Sequence, residues 1–570
     1  MKRFLLALIL SLLPIVALAQ CNGVFPSNTL CGNTTGSPAI PIPSTVAGPI
    51  VGGPGSSVVN DVAVWNNTTG TLLKDVPFGG LNYTQSANGT GVLRTAQTKL
   101  DDAVSVKDFG VKCDNSTDDT AAIVVADVAA AAVGKALRFP AGICIVSATI
   151  TPSTGAHWIG DGYAATTLKR NNATCAILTI SNSFVTIDEF SFASTVTCTS
   201  GTFIALSGNN FTAHDLYATA AFTCFTMGTS GSSVSVAVVL IDQLQCLNTV
   251  AGQNSITINN TGGGNIEMRN IFANNSAGAR PFSHINFINS PDFTCVDCNL
   301  LSAQNNIYIN PASGQSVVST NFIGGFSDQA SINAVAIVPS GTGFVGRSRF
   351  LGFWFFCSNS SCNGFDIATA GTSNVDGIDC TACDIYSNSA TTTNGVVTSQ
   401  GAGTTIKNVS INGSRIAGWT NGVNIGGLIS GSIKNSKIGS NGNFAVNTTG
   451  IALGGTIGTL SVTTNDLTGN TTPLSNSSTP TLLQIVSNIG YNPVGPVAAI
   501  SVGASPFTYT AGPSPETVYL NGGTVSLVET ANNGTFVTVL VTTNTSAYLG
   551  PNEQLRVTYT AAPTMVKAIH

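Results

Sequence analysis

Val185-Thr-Ile187-Asp-Glu-Phe190-Ser-Phe192 alternates apolar and open positions, skips two, and then alternates again. Successive side chains of a strand face opposite sides, so the skip reverses which parity points inward. One straight strand with one buried face cannot do this, but two short strands joined at a sharp corner can. The same eight-residue pattern starts again at Phe211, Val239, Ile266, Phe293, Val318, Phe344, Ile378, Val409, Gly431 and Leu460. A third strand precedes most corners and ends in a turn, as in Ile256-Thr-Ile258-Asn-Asn and Ile307-Tyr-Ile309-Asn-Pro. A recurrence of about 27 residues marks a repeat architecture, in which each copy buries its apolar face only by stacking on neighbours. Three short strands per coil predict a parallel β-helix. An antiparallel sandwich also has regular strands, but it does not predict a corner repeated at fixed phase.

Composition agrees with a solvated β-solenoid: only 8% of the 570 residues are charged, against 43% hydrophobic. A net charge of -5 leaves no electrostatic footprint for nucleic acid, and a neutral glycan suits such a surface better. Lys2 and Arg3, the apolar run 4–13 and Ala17-Leu18-Ala19 read as a signal peptide over residues 1–19, cleaved after Ala19. The expected location is therefore secreted or extracellular. No later run is long and apolar enough to span a membrane. All 14 cysteines follow the cleavage site, which suits an oxidising compartment. Cys21 with Cys31, and Cys357 with Cys362, are placed to close small loops. Cys295-x-x-Cys298 and Cys380-x-x-Cys383 resemble metal or redox pairs, but they occupy the apolar positions flanking the corner. They are expected inside the solenoid, as small hydrophobes or corner disulfides, with no metal.

Residues 20–100 form a Pro- and Gly-rich leader and stem-like segment. Its short alternating pieces, such as Asp61-Val-Ala-Val-Trp65, bury too little to stand alone. A helix is expected over residues 118–132, capped by Thr117 or Asp118 with acidic residues in its first turn, covering the first coil. Ser105-Val-Lys-Asp-Phe-Gly110, Asp118-Asp-Thr-Ala-Ala-Ile123, Leu137-Arg-Phe-Pro-Ala-Gly142 and Gly160-Asp-Gly162 then follow in order. Together they resemble the opening of the pectate-lyase-like superfamily, in the rhamnogalacturonase/epimerase-like branch that includes phage tailspikes. The resemblance implies a right-handed, single-stranded parallel β-helix, here over residues 101–490, entered by a capping helix. It implies no single activity, because that fold hosts lyases, hydrolases, epimerases and inactive binders. A Pro-rich joint is expected over residues 479–496. Residues 497–570 alternate like antiparallel strands, with Asn521-Gly522 as a hairpin turn, and predict a small β-sandwich. This last domain resembles the C-terminal domains of phage tail proteins, which implies receptor contact or a homotrimer.

Two columns at the corners carry candidate chemistry. The first reads Asp188, His214, Asp242, Arg269, and the second reads Glu189, Asp215, Gln243, Asn270. Glycosidases place two carboxylates about 5 Å apart for retention or ~6.5–9.5 Å for inversion. Adjacent coils supply the shorter distance, and Glu189 with Asp215 is the best pair, next to Asp242. The competing reading is a ladder of surface ion pairs and polar bends. Arg280, His284 and Asp292 form a second cluster, a base and a cation of the kind a lyase uses beside a uronate. Asn-Thr-Asp, Gly-His-Gly and Arg-Ile-Lys, the motifs of polygalacturonases, are missing. No cofactor is implied. A calcium ion is compatible with the acidic corners, but no run of acidic residues builds a cage for one. Phe350-Leu-Gly-Phe353-Trp354-Phe355-Phe356 has too many rings to bury on one side, so Phe353, Trp354 and Phe355 are a candidate sugar platform, unless the Cys357–Cys362 loop covers them. The expected function is glycan recognition by a tailspike-like β-helix, with polysaccharide cleavage by hydrolysis or elimination as its enzymatic form. A secreted bacterial carbohydrate-active enzyme and an adhesive or structural solenoid are the alternatives.

Overall fold

The computed structural model describes residues 94–570, apart from 230, 277, 279, 389–392, 441, 443, 493–496, 533, 541 and 543, and five short strands before them. The signal peptide and the Cys21–Cys31 pairing lie outside the described residues. The chain divides into two units after Asp102. In the first, Asp61–Trp65 pairs antiparallel with Leu73–Pro77, and Thr29–Gly32 with Ile42–Thr45.

The second unit is a parallel β-solenoid of about twelve coils, followed by a small antiparallel domain. Two strands of each coil join a 25-stranded sheet and the third joins a 12-stranded sheet. Phe211 faces Val239, which faces Ile266, so the first position of the eight-residue pattern stacks on itself from coil to coil. The parity reversal has a single cause. The fifth position, occupied by Glu189, Asp215, Gln243, Asn270, Asp297, Ala382, Asn435 and Thr464 in eight coils, has φ between 52° and 68°. Gly324, Gly352 and Gly413 hold it in three others, at 63°, 60° and 60°. One left-handed residue swings the chain around and exchanges the faces. That conformation favours Gly, Asn and Asp, which explains the composition of the column.

Two of the eleven starts are corrected. Opposite Phe293 lies Thr320, not Val318, and opposite Ile378 lies Ser348, not Phe344. Both residues are fully buried, and the Thr320 hydroxyl donates to Ser348 Oγ at 2.7 Å. The interior is polar at that point, so a search for apolar residues slips to the strand before the corner. Elsewhere the interior stacks rings, such as Phe322 on Phe350 at 5.1 Å. A second line of amides links coils through Asn305, Asn333 and Asn363, each donating to the one before it at 2.9 and 3.1 Å. Buried amides are tolerated because they satisfy one another.

Cys295–Cys298 and Cys380–Cys383 are bridged at the corners, Cys357–Cys362 closes the loop between the strands Trp354–Cys357 and Asn363–Thr369, and Cys113–Cys144 and Cys175–Cys198 tie the entry coils. Cys224 and Cys246 are reduced and buried. The helix spans Thr120–Ala132 with Asp119 at its N-cap and no acidic residue in its first turn, correcting the expected Thr117 or Asp118 cap. Asp119 turns its carboxylate instead to the amides of Lys112 and Cys113 at 2.6 and 2.9 Å. Ile123, Ala126 and Ala130 join the core beside Leu137 and Trp158, and Asp127 accepts from Trp158 Nε1 at 2.6 Å.

The expected joint after residue 479 begins as a further rung: Thr479–Val486 pairs in parallel with Thr456–Thr463. The C-terminal domain consists of two four-stranded antiparallel sheets over a common core that includes Val518, Leu549, Val528 and Leu555. Asn521-Gly522 does not close a hairpin, because Glu516–Asn521 and Thr524–Asn532 belong to different sheets. Among the described residues no helix is long and apolar enough to cross a membrane.

Candidate functional site

The first corner carries the densest chemistry. Register places His157 two residues before the strand end at Ile159, which faces Asp188; Asp188 in turn faces His214. Asp188 Oδ2 lies 2.8 Å from His157 Nε2, and Oδ1 lies 2.8 Å from His214 Nδ1. A carboxylate only accepts, so each imidazole donates to it. When neutral, each ring therefore keeps one lone-pair nitrogen, Nδ1 of His157 and Nε2 of His214. Both rings are over 40% exposed while Asp188 is 18% exposed, so the carboxylate sits beneath two accessible imidazoles. A carboxylate that fixes the tautomer and orientation of a histidine is the arrangement that prepares a base or a hydrogen-bonding group.

Glu189 and Asp215 follow immediately, at the left-handed positions of consecutive coils, about 4.8 Å apart along the stack. The Tyr163 and Tyr217 rings stack at 6.1 Å beside the same two coils. Asp242 is drawn off the ladder, accepting from Asn270 Nδ2 at 2.8 Å, and Arg269 pairs with Glu267 at 2.7 Å. The alternating column of acid and base therefore holds for one step, Asp188 to His214, and then breaks.

The second cluster does not form a site. His284 is fully buried, donates from Nε2 to the Leu301 carbonyl, and lies 3.0 Å from Ser255 Oγ at Nδ1. Burial, aided by the nearby Arg280 charge, lowers its pKa from 6.5 to about 4. Arg280 donates to the Ala303 and Gln329 carbonyls. Asp292 lines a separate cavity with Glu267. A buried neutral imidazole and a guanidinium bound to backbone leave nothing to neutralise and deprotonate a uronate.

The aromatic run is also corrected in part. Phe353 and Phe355 are fully buried and face the core, so they offer no platform. Trp354 is half-buried on the outer surface, where it stacks on Phe356 at 5.5 Å and meets Phe326 edge-on at 5.9 Å. Strict alternation through 353–356 decides which rings emerge. Cys113, Asp119 and Cys144 lie close enough for a metal, but the two cysteines are bridged to each other. His157 is the site residue that sequence reasoning missed. Ala156-His157-Trp158-Ile159-Gly160 lies one period before the first recognised repeat, and extending the count upstream finds it.

Residues 103–331 match the family model described as Rhamnogalacturonase A/epimerase, pectate lyase-like. The resemblance read from the opening motifs is thereby shown for that part of the chain. No curated protein matches the chain. Among solved structures, a mutant tailspike protein of E. coli bacteriophage HK620 in complex with a pentasaccharide is 11% identical with a TM-score of 0.51, covering 86% of this chain and 98% of that one. A double mutant of the same tailspike gives 0.52 at 11% identity, with 86% and 98% covered. The A-module of the Azotobacter vinelandii mannuronan C-5 epimerase gives 0.39 at 13% identity, with 66% and 99% covered. The likeness to the tailspike shows a shared parallel β-helix fold.

Proposed function

We propose that this chain is an extracellular, glycan-recognising β-helix protein that hydrolyses a polysaccharide at its first corner. The observation that carries the reading is the Asp188 carboxylate held between His157 and His214, next to Glu189 and Asp215. Two of the chain's four histidines and its densest acidic corner meet there, on a chain that is only 8% charged. The spacing of consecutive coils suits a retaining pair, in which one carboxyl group protonates the glycosidic oxygen and the other attacks the anomeric carbon. The outward nitrogens of His157 and His214 hold sugar hydroxyls, and the Tyr163–Tyr217 pair packs on a sugar face. The pentasaccharide bound by the tailspike of like fold supports a saccharide ligand here. The five disulfides among the described residues support export, with the signal peptide removed after Ala19. The homotrimer of a tailspike-like assembly belongs to the same reading.

A second reading has its own observation. The fifth position is left-handed at the eleven corners from Glu189 to Thr464, and Gln243, Asn270 and Asn435 hold it without chemistry. On that reading Glu189 and Asp215 serve the bend, and the protein binds a glycan without cleaving it. A glycan array followed by product analysis separates the two. Reducing ends released by the wild-type chain and abolished in both E189Q and D215N support hydrolysis; binding without turnover leaves adhesion. A product absorbing in the ultraviolet would mean elimination and would overturn the hydrolytic reading.

A further inference from the structure

A cleft of about 510 Å³ lies further along the solenoid, at the turn that opens the eight-residue strands of later coils. Its lining includes Phe344, Gly346, Arg347, Asp376, Gly377 and Asn408. Register stacks Val318, Gly346, Asp376 and Lys407 in one column, so the cleft runs along the axis across successive coils. From Pro291 to Asn408 it crosses five coils, a run of about 19 Å at the β-stacking distance. That is the length of a short oligosaccharide rather than one sugar.

The floor is built to stay bare. A Cβ on Gly346 would lie 2.8 Å from Cε1 and Cζ of Phe344, so that ring lies directly over the glycine. Gly377 has φ of 87°, and a Cβ there would press on the Arg347 backbone at 3.3 Å. The polar wall is held in advance. Asn408 Nδ2 donates to Asp376 Oδ1 at 2.6 Å, while Asn408 Oδ1 accepts from Ser430 at 3.0 Å. Lys407 Nζ stands 3.9 Å from the other Asp376 oxygen. Arg347 differs from these neighbours: it is exposed, and its guanidinium meets no partner among the described residues. A planar fork of donors left free beside an anchored carboxylate is suited to a bidentate carboxylate ligand.

We propose that this cleft is a second saccharide site, which binds a carboxylate-bearing sugar residue with its acid group on Arg347, its hydroxyls on Asp376 and one face on Phe344. The proposal rests on the glycan-binding reading of the protein, but not on cleavage at Glu189 and Asp215. Calorimetry on the full chain tests it with tetragalacturonate and 3′-sialyllactose, each beside its carboxyl-reduced form. At least one acidic probe binds, its reduced form binds tenfold or more weakly, and R347Q removes the difference. G346A, which displaces the Phe344 ring, weakens binding of the same probe. Equal binding of acidic and reduced forms, unchanged binding in R347Q, or no binding of either acidic probe would overturn the proposal. Turnover that is lost in E189Q and intact in R347Q, without acidic-probe binding, would overturn the cleft alone and leave the proposed function standing.

Discussion

Asp188 and His214 sit on adjacent coils with Oδ1 and Nδ1 2.8 Å apart, and the same carboxylate reaches His157 through its other oxygen. The pairing joins residues 26 positions apart in sequence and places a fixed carboxylate under two exposed rings. Exposed pairs of this kind contribute about 0–1 kcal/mol to stability. Their orientation of the rings matters more than their energy.

Asp188→Asn should therefore separate folding from function. The asparagine can still accept from one ring but no longer anchors both as an anion. Glycan turnover or binding is expected to fall at least tenfold, while the unfolding free energy changes by no more than about 1 kcal/mol. Equal loss of stability and activity would show that the triplet only braces the coils.

Trp354 and Phe353 are neighbours with opposite fates. Trp354→Ala removes a ring from the outer surface and should weaken glycan binding while leaving the fold intact. Phe353→Ala opens the core and should destabilise the protein by about 3–5 kcal/mol, with binding per folded molecule unchanged. Calorimetric binding set beside chemical denaturation measures both.

Burial of His284 makes the solenoid acid-sensitive in a defined window. Its folded-state pKa is lowered to about 4 from 6.5, so below pH 6.5 the unfolded chain binds a proton that the folded chain refuses. The stability contributed by this group is present above pH 6.5 and is lost as pH falls toward 4. The whole shift corresponds to about 3 kcal/mol. Urea midpoints taken between pH 7 and pH 4 should fall in the wild type and fall less steeply in His284→Gln.

Gly413 tests the corner itself. It has φ of 60°, and open space surrounds its missing side chain, so any cost of substitution there is conformational. Gly413→Val should lose about 1–2 kcal/mol, whereas Gly413→Asn should stay close to the wild type. Equal stability of the two variants would mean that the left-handed residue is not what shapes the bend.

The corner was legible in the sequence because a parity change at fixed phase has few physical solutions. Val185, Phe211, Val239 and Ile266 all fell in their true column. The reading slipped at Val318 and Phe344, where the inner positions are Thr320 and Ser348 and the hydrophobic signal vanishes into a hydrogen bond. The same limit hid the amide line through Asn333, since a buried asparagine looks in sequence like a turn residue.

Alternation and period determined the stacked coils and the inward-facing cysteines, and helix start signals the entry helix, because these follow from local side-chain direction, local capping and the need of each coil for a neighbour. Tertiary structure decided that His157 shares Asp188 with His214, that His284 is sealed away, that Phe353 and Trp354 part company, and that Arg347 is left free. Each of these depends on which rung lies against which, and a shift of two residues in one coil would change every such neighbour while leaving the apolar pattern intact.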